Sequence, residues 1–320
     1  MEILYTIYKF NIHFTEPIFF STDPNFIFRS VIGKNLHDIC CIRKRLQCND
    51  CSLSSACAYA ILFETPLNFE SVELRGRSSG AHPYVMNILK PDGKIFTLED
   101  SDNGKIRDFI VKVTVCEMAI PSFSYFFTAL YKAGKEGLFK EKKKYEIISV
   151  ENKVETYYPS GDSIRISPYL EKWESDISGD YKTFDNYEVN IKFLTPFRYL
   201  EKGSISEPID GFHIISSASR RMKILTELYG HNYIPFSFDK RFLIEPHIKV
   251  KNREIVWKEA NRYSARQKSV MLLGGVVGNL SLEGRFSKAM IDMLEGVNIF
   301  NIGKNTSFGF GMTEVTVNKK

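Results

Sequence analysis

Apolar residues alternate with polar ones at the start of the chain. Leu4, Thr6, Tyr8, Phe10, Ile12 and Phe14 point one way and Lys9, Asn11 and His13 the other, which predicts a strand with one buried face. The pattern returns much later, where Tyr187, Val189, Ile191 and Phe193 alternate with Glu188, Asn190 and Lys192. Both runs close on a threonine and a proline, as Phe14-Thr15-Glu16-Pro17 and as Phe193-Leu194-Thr195-Pro196. A helical period follows each, over 25–41 and over 211–229.

The two halves also end alike. Amphipathic helices are predicted over 123–133 and 286–294, each followed by a glycine-containing loop and a strand, at 145–150 and 312–317. Between opening and closing, each half has room for a strand pair: near 84–98 and 109–118, then near 242–264 and 271–282. Strand, helix, two strands, helix, strand is the ferredoxin-like order, in which two helices cover one face of a four-stranded antiparallel sheet. The expected fold class is therefore α+β, a tandem of ferredoxin-like (RRM-like) domains. Their expected extents are 1–150, with a cysteine-rich insertion at 40–57, and 187–320, with a glycine-rich loop at 303–311. Residues 151–186, rich in Ser, Gly, Asp and Tyr, are expected to link them, and 320 residues suit two domains of about 150.

Composition narrows the class. The chain is 43% hydrophobic and 25% charged, as in globular proteins. It has no run near the ~18 apolar residues of a membrane helix. Met1-Glu2-Ile3-Leu4-Tyr5 lacks the basic start and apolar core of a signal peptide, so no membrane partner and a cytoplasmic location are expected. The net charge of +5 is mild, but basic residues cluster at 43–45, at Arg75 and Arg77, at 140–144, at 220–223, at 249–253 and at 262–268. Each cluster alone reads as a solvated face; together they suit a polyanionic partner.

Five of the six cysteines lie between positions 40 and 57. Disulfides are not expected in a reducing compartment. Cys41-x6-Cys48-x2-Cys51-x5-Cys57 is compact enough to close around one structural zinc ion or one iron–sulfur cluster, and spacing does not separate these or exclude reduced thiols. Cys116, alone on a strand-like stretch, reads as core. Near the C-terminus, Gly303, Lys304, Ser307, Gly309 and Gly311 form a loop whose amides suit a phosphate. Phe308 and Phe310, interleaved there, read as core more readily than as base-stacking rings.

Several of these residues resemble a known family. Arg262-Tyr263-Ser264-x-Arg266-Gln267, the run from Met271 through Gly274-Gly275 to Gly278, and Gly303-Lys304-x-Thr306-Ser307-Phe308-Gly309-Phe310-Gly311 are similar to the C-terminal half of the CRISPR-associated endoribonucleases that cut precursor CRISPR RNA, members of the repeat-associated (RAMP) superfamily. Thr195-Pro196-Phe197-Arg198, Ser219-Arg220-Arg221, Tyr59-Ala60-x-Leu62-Phe63-Glu64-Thr65-Pro66 and His82-Pro83-Tyr84-Val85 extend the resemblance over nearly the whole chain. It implies tandem ferredoxin-like domains that bind a CRISPR repeat RNA. It also implies cleavage without a catalytic metal, leaving a 2′,3′-cyclic phosphate and a 5′-hydroxyl. In the first half the chain departs from the pattern: after Gly137 comes a lysine-rich stretch, 140–144, without further glycine.

Such cleavage needs a proton taken from the 2′-hydroxyl, a proton given to the leaving oxygen, and support for the phosphorane. Histidine suits the first two and lysine the third. On the first helix Phe28, Val31, Ile32, Leu36 and Ile39 share one side, while Ser30, Lys34 and His37 fall within about 60° of one another opposite them. His37 is the candidate general base or acid and Lys34 the candidate phosphate stabiliser; a surface histidine on a solvated face is the plain alternative. The resemblance implies a histidine from this region. Of the others, His13 suits an exposed strand face, His82 a turn, and His213 and His231 the two ends of the 211–229 helix; His247 follows Pro246 in a strand region. Arg220, Arg221, Arg262 and Arg266 are candidate RNA-backbone contacts. Rival readings are a non-catalytic RNA-binding subunit of a CRISPR effector complex, and a general RNA-binding zinc or iron–sulfur protein. An effector complex and a second copy of the chain are further candidate partners.

Overall fold

A computed structural model describes residues 1–97, 100, 106–159, 165–177, 183–201, 204–205, 209–238, 247–264 and 269–320. The chain divides into two compact units, Leu4–Glu171, and Met1–Ile3 together with Lys172–Lys320.

In the first unit, β1 (Glu2–Phe14), α1 (Pro24–Cys40), β2 (Tyr84–Leu89), β3 (Asp108–Cys116), α2 (Ile120–Glu136) and β4 (Tyr145–Glu151) follow in that order. The strands lie antiparallel as β2-β3-β1-β4, the ferredoxin-like arrangement. The alternation along β1 buries Tyr8, Phe10, Ile12 and Phe14. Tyr8 stacks on Phe123 of α2 at 4.9 Å, and Phe10 meets Phe126 and Phe127 at 6.3 and 6.4 Å. Aromatic rings thus carry much of the contact between sheet and helix, where each buries the most apolar area per residue. Asp23 caps α1 by accepting from the Asn25 amide, and Asn25 in turn accepts from the Ile88 amide at 3.1 Å, which ties the helix start to β2.

α2 runs past its expected end at 133 to Glu136. Gly134, expected to open the following loop, lies inside the helix, where a Cβ would stand 2.5 Å from the Tyr145 carbonyl oxygen. The glycine permits the helix to approach β4; it is not a loop residue.

In the second unit, β5 (Phe184–Phe197), α3 (Gly211–Tyr229), β6 (Ile248–Lys258), β7 (Gly275–Ser287), α4 (Lys288–Phe300) and β8 (Thr313–Lys319) repeat the order, with the antiparallel sheet β6-β7-β5-β8. The fold is α+β, with two ferredoxin-like units in tandem. α3 begins where Asp210 accepts from the His213 amide while the His213 ring bonds the Asp210 amide, and it ends at Gly230. His213 is therefore a buried capping residue. Between β6 and β7 a short ribbon pairs Asn261–Ser264 with Ser269–Leu272. Trp173, in the expected linker, is buried and donates its Nε1–H to the Asp292 carbonyl, so this part of the segment packs on α4. Among the described residues no helix is long and apolar enough to cross a membrane.

Candidate functional site

Three residues one turn apart, Arg29, Gly33 and His37, lie along one edge of α1. Against this edge packs a single π-helical turn, Ala60–Glu64, with Tyr59 just before it. The turn can come close because position 33 has no side chain: a Cβ there would stand 2.7 Å from the Phe63 ring. Phe63 stacks on Tyr59 at 6.0 Å and lies beneath the Arg29 guanidinium, whose carbon is 4.9 Å from the ring centroid. Arg29 Nη2 donates to His82 Nε2 at 2.6 Å.

At the C-terminal end of this edge, the His37 ring stands edge-on to Tyr59, with centroids 4.9 Å apart and planes at 78°. The Tyr59 hydroxyl donates to Glu64 Oε1 at 2.8 Å. His37 keeps 34% of its side chain exposed, with Nδ1 3.8 Å from Asp38 Oδ1. The imidazole is thus braced on one side and open on another, the condition for exchanging protons with a bound ligand. Lys34 and Ser30 are exposed on the same polar stripe. His37 and Lys34 are legible from helix periodicity, whereas the Tyr59 brace and the Arg29–His82 pair are not. The i, i+4, i+8 spacing of Arg29, Gly33 and His37 was the signal available for that edge.

In the second unit the glycine-rich loop is more ordered internally than a phosphate nest. Gly303, Gly309 and Gly311 have φ of 83°, 81° and 68°, as their identity suggests. Their amides are largely committed, however. Gly309 N–H donates to the Thr306 carbonyl, Gly311 N–H to the Pro196 carbonyl, and Lys304 N–H to the Arg198 carbonyl. The Thr195 hydroxyl donates to the Gly309 carbonyl at 2.7 Å and accepts from the Met312 amide at 2.8 Å. Two of the motifs picked out in the sequence, 195–198 and 303–311, are therefore bonded to each other. Ser307, Gly309, Phe310 and Gly311 are buried, while Gly303, Lys304, Asn305 and Phe308 are half-buried. Of the expected phosphate contacts Ser307, Gly309 and Gly311, all three are buried, and the Gly309 and Gly311 amides are spent on the loop's own fold.

The Arg220–Arg221 pair separates. Arg220 is exposed. Arg221 is 7% exposed and donates its Nε–H to the Phe300 carbonyl at 3.1 Å, at the C-terminus of α4, where a cation also complements the helix dipole. Arg221 is thus a structural residue rather than an RNA contact. Arg262 belongs to the 261–272 ribbon, and Arg266 lies outside the described residues.

The cysteines of the insertion, Cys41, Cys48, Cys51 and Cys57, together with Cys40, all line one pocket of about 230 Å³. All five are free and half-buried. Burial and the neighbouring Glu64 carboxylate push the Cys48 thiol up to about 11, and burial raises that of Cys40. Among the described residues, no group of three or more His, Cys, Asp or Glu side chains stands in metal-ligand geometry. Cys116 is fully buried in the core.

Two ferredoxin-like units, one presenting a braced histidine and the other a glycine-rich loop, define a tandem α+β protein. Residues 191–313 match the family model of the CRISPR-associated endoribonuclease Cas6, and residues 3–166 match the AF_1859_N N-terminal domain. The Cas6 match thus covers the C-terminal unit. No curated protein matches the chain in sequence. Its fold is similar to that of a Cas6 product complex, at 15% identity and TM-score 0.53, over 98% of this chain and 99% of that one. It is also similar to Cas6 of Thermus thermophilus, at 12% identity and TM-score 0.51, over 99% of each chain. A partial Cas6-RT-Cas1–Cas2 complex aligns at 10% identity and TM-score 0.52, over 99% of this chain and 46% of that one.

Proposed function

We propose that this protein acts in the cytoplasm, binding CRISPR repeat RNA and cutting precursor transcripts within the repeat. The 2′-hydroxyl attacks the adjacent phosphate, leaving a 2′,3′-cyclic phosphate and a 5′-hydroxyl, and the chemistry uses no metal ion. The observation that carries this reading is the Cas6 family match of the C-terminal unit, joined to the braced, half-open imidazole of the N-terminal one. His37 serves as general base or acid, a contribution of about 10²–10⁴ in rate. Lys34, one turn earlier on the exposed stripe, offsets charge on the phosphorane. Lys304, Gly303, Arg220, Arg262 and Arg266 hold the RNA backbone. Arg221, Gly309 and Gly311 support the fold of that surface instead.

The test is end-labelled repeat RNA incubated with the protein in excess EDTA. Product ending in cyclic phosphate is expected. Tight binding without any product would replace this reading with that of a non-catalytic RNA-binding subunit.

A further inference from the structure

The cysteine pocket has no role in the chemistry above. It is walled by the end of α1, the turn Cys48–Asp50 and the segment leading into Ala60–Glu64, all short or terminal pieces of chain. The loop has little core of its own: Ile42, Leu46 and Leu53, its largest apolar side chains, are 81%, 45% and 43% exposed. A loop this poor in buried apolar area needs a staple to hold one conformation. Five thiols converge on the pocket, beside Ile42, Leu46 and Leu53.

Their backbone settings differ. The Cys51 amide donates to the Cys48 carbonyl at 3.3 Å, so this Cys-x2-Cys pair spans a tight turn, the usual arrangement of one half of a tetrahedral zinc site. Cys41 caps α1 in extended conformation, and its amide donates to the His37 carbonyl at 2.9 Å. Cys57 enters the pocket two residues before Tyr59. Cys40 is engaged otherwise, its sulfur being hydrogen-bonded to the Tyr59 backbone.

We propose that Cys41, Cys48, Cys51 and Cys57 bind one zinc ion as a tetrathiolate, and that this ion fixes the wall on which His37 rests. Two of the four ligands adjoin that wall directly: Cys41 through its bond to the His37 backbone, Cys57 through the chain leading to the Tyr59 ring. The thiols surround the pocket without yet standing in ligand geometry, so binding draws the side chains inward and displaces their protons. Zinc here holds structure and touches no RNA, which keeps it compatible with metal-free cleavage. The zinc assignment stands apart from the cleavage reading, because metal content is measured without RNA.

Elemental analysis of protein purified without chelator is expected to give about one zinc per chain. The paired change Cys48→Ser with Cys51→Ser is expected to lower this about tenfold or more, and Cys40→Ser to leave it unchanged. In the unaltered protein, cobalt substitution should give the intense charge-transfer absorption of a tetrathiolate, and zinc should protect four thiols from alkylation; neither depends on a variant folding. The link to His37 predicts that the paired variant lowers the single-turnover cleavage rate about tenfold with RNA affinity held. Zinc below about a tenth of the chain concentration, iron with sulfide absorption in its place, disulfides among these cysteines, or zinc retained in the paired variant would each overturn the proposal.

Discussion

The His37 ring stands edge-on to the ring of Tyr59, 4.9 Å between centroids, while Tyr59 is itself stacked on Phe63 and hydrogen-bonded to Glu64. Positioning of this kind matters because a proton-transfer group misplaced by about 1 Å loses much of its effect, on the order of 10²-fold. Tyr59→Ala is expected to lower the cleavage rate about tenfold or more with RNA affinity unchanged. Tyr59→Phe, which keeps the ring and loses only the bond to Glu64, should stay near the unaltered rate. Single-turnover kinetics beside a binding titration check both.

The glycine-rich loop separates a folding role from a binding role. Gly311 has φ of 68°, and a Cβ there would stand 1.8 Å from the Ile302 carbonyl oxygen. Gly311→Ala should destabilise the fold by more than about 1 kcal/mol in denaturant unfolding. Lys304→Ala should leave stability unchanged, weaken RNA binding uniformly across sequences, and reduce the salt slope of log Kd by about 1.

Adjacent arginines should behave oppositely. Arg221→Ala removes a buried donor from the Phe300 carbonyl and is expected to cost about 1–3 kcal/mol of stability. Arg220→Ala, at an exposed position, should leave the unfolding midpoint in place and lower RNA affinity in a salt-dependent way.

High pH should destabilise the first unit, in part through Tyr84. Burial pushes its phenol from 10 up to about 12, although the neighbouring Arg29 guanidinium pulls the other way. Its native pKa is raised, so between pH 10 and 12 the unfolded chain holds fewer protons than the native one and stability falls as pH rises. The full effect is at most about 3 kcal/mol, absent below pH 10 and complete above 12. Tyr84→Phe should flatten this part of the stability–pH curve in denaturant unfolding at stepped pH.

What the sequence disclosed followed from local periodicity. The α3 limits at 211 and 229 are marked by Asp210 and Gly230, a capping carboxylate and a terminating glycine, and both act locally. The strand alternation along β1 and β5 revealed the doubling and, from it, the ferredoxin-like order. The site was less legible because its parts meet through distant contacts. Nothing local tells a glycine that admits phosphate from one that admits its own chain, so Gly309 and Gly311 read as ligand-binding when they serve Thr195 and Ile302. Arg221 was distinguishable from Arg220 by phase, since it shares the buried face with Ala218, Met222 and Leu225. The Tyr59 brace is set by a π-helical turn with no repeating signal, against a glycine 26 residues earlier at position 33.

The most direct measurement compares the unaltered protein with His37→Ala on one repeat RNA, in excess EDTA, under single-turnover conditions with affinity measured in parallel. Loss of cleavage by about 10²-fold or more, with RNA affinity within about twofold, is the predicted result. Undiminished cleavage by the variant would contradict the assignment of His37, and cleavage by the unaltered protein only after a divalent metal is restored would contradict the metal-free mechanism.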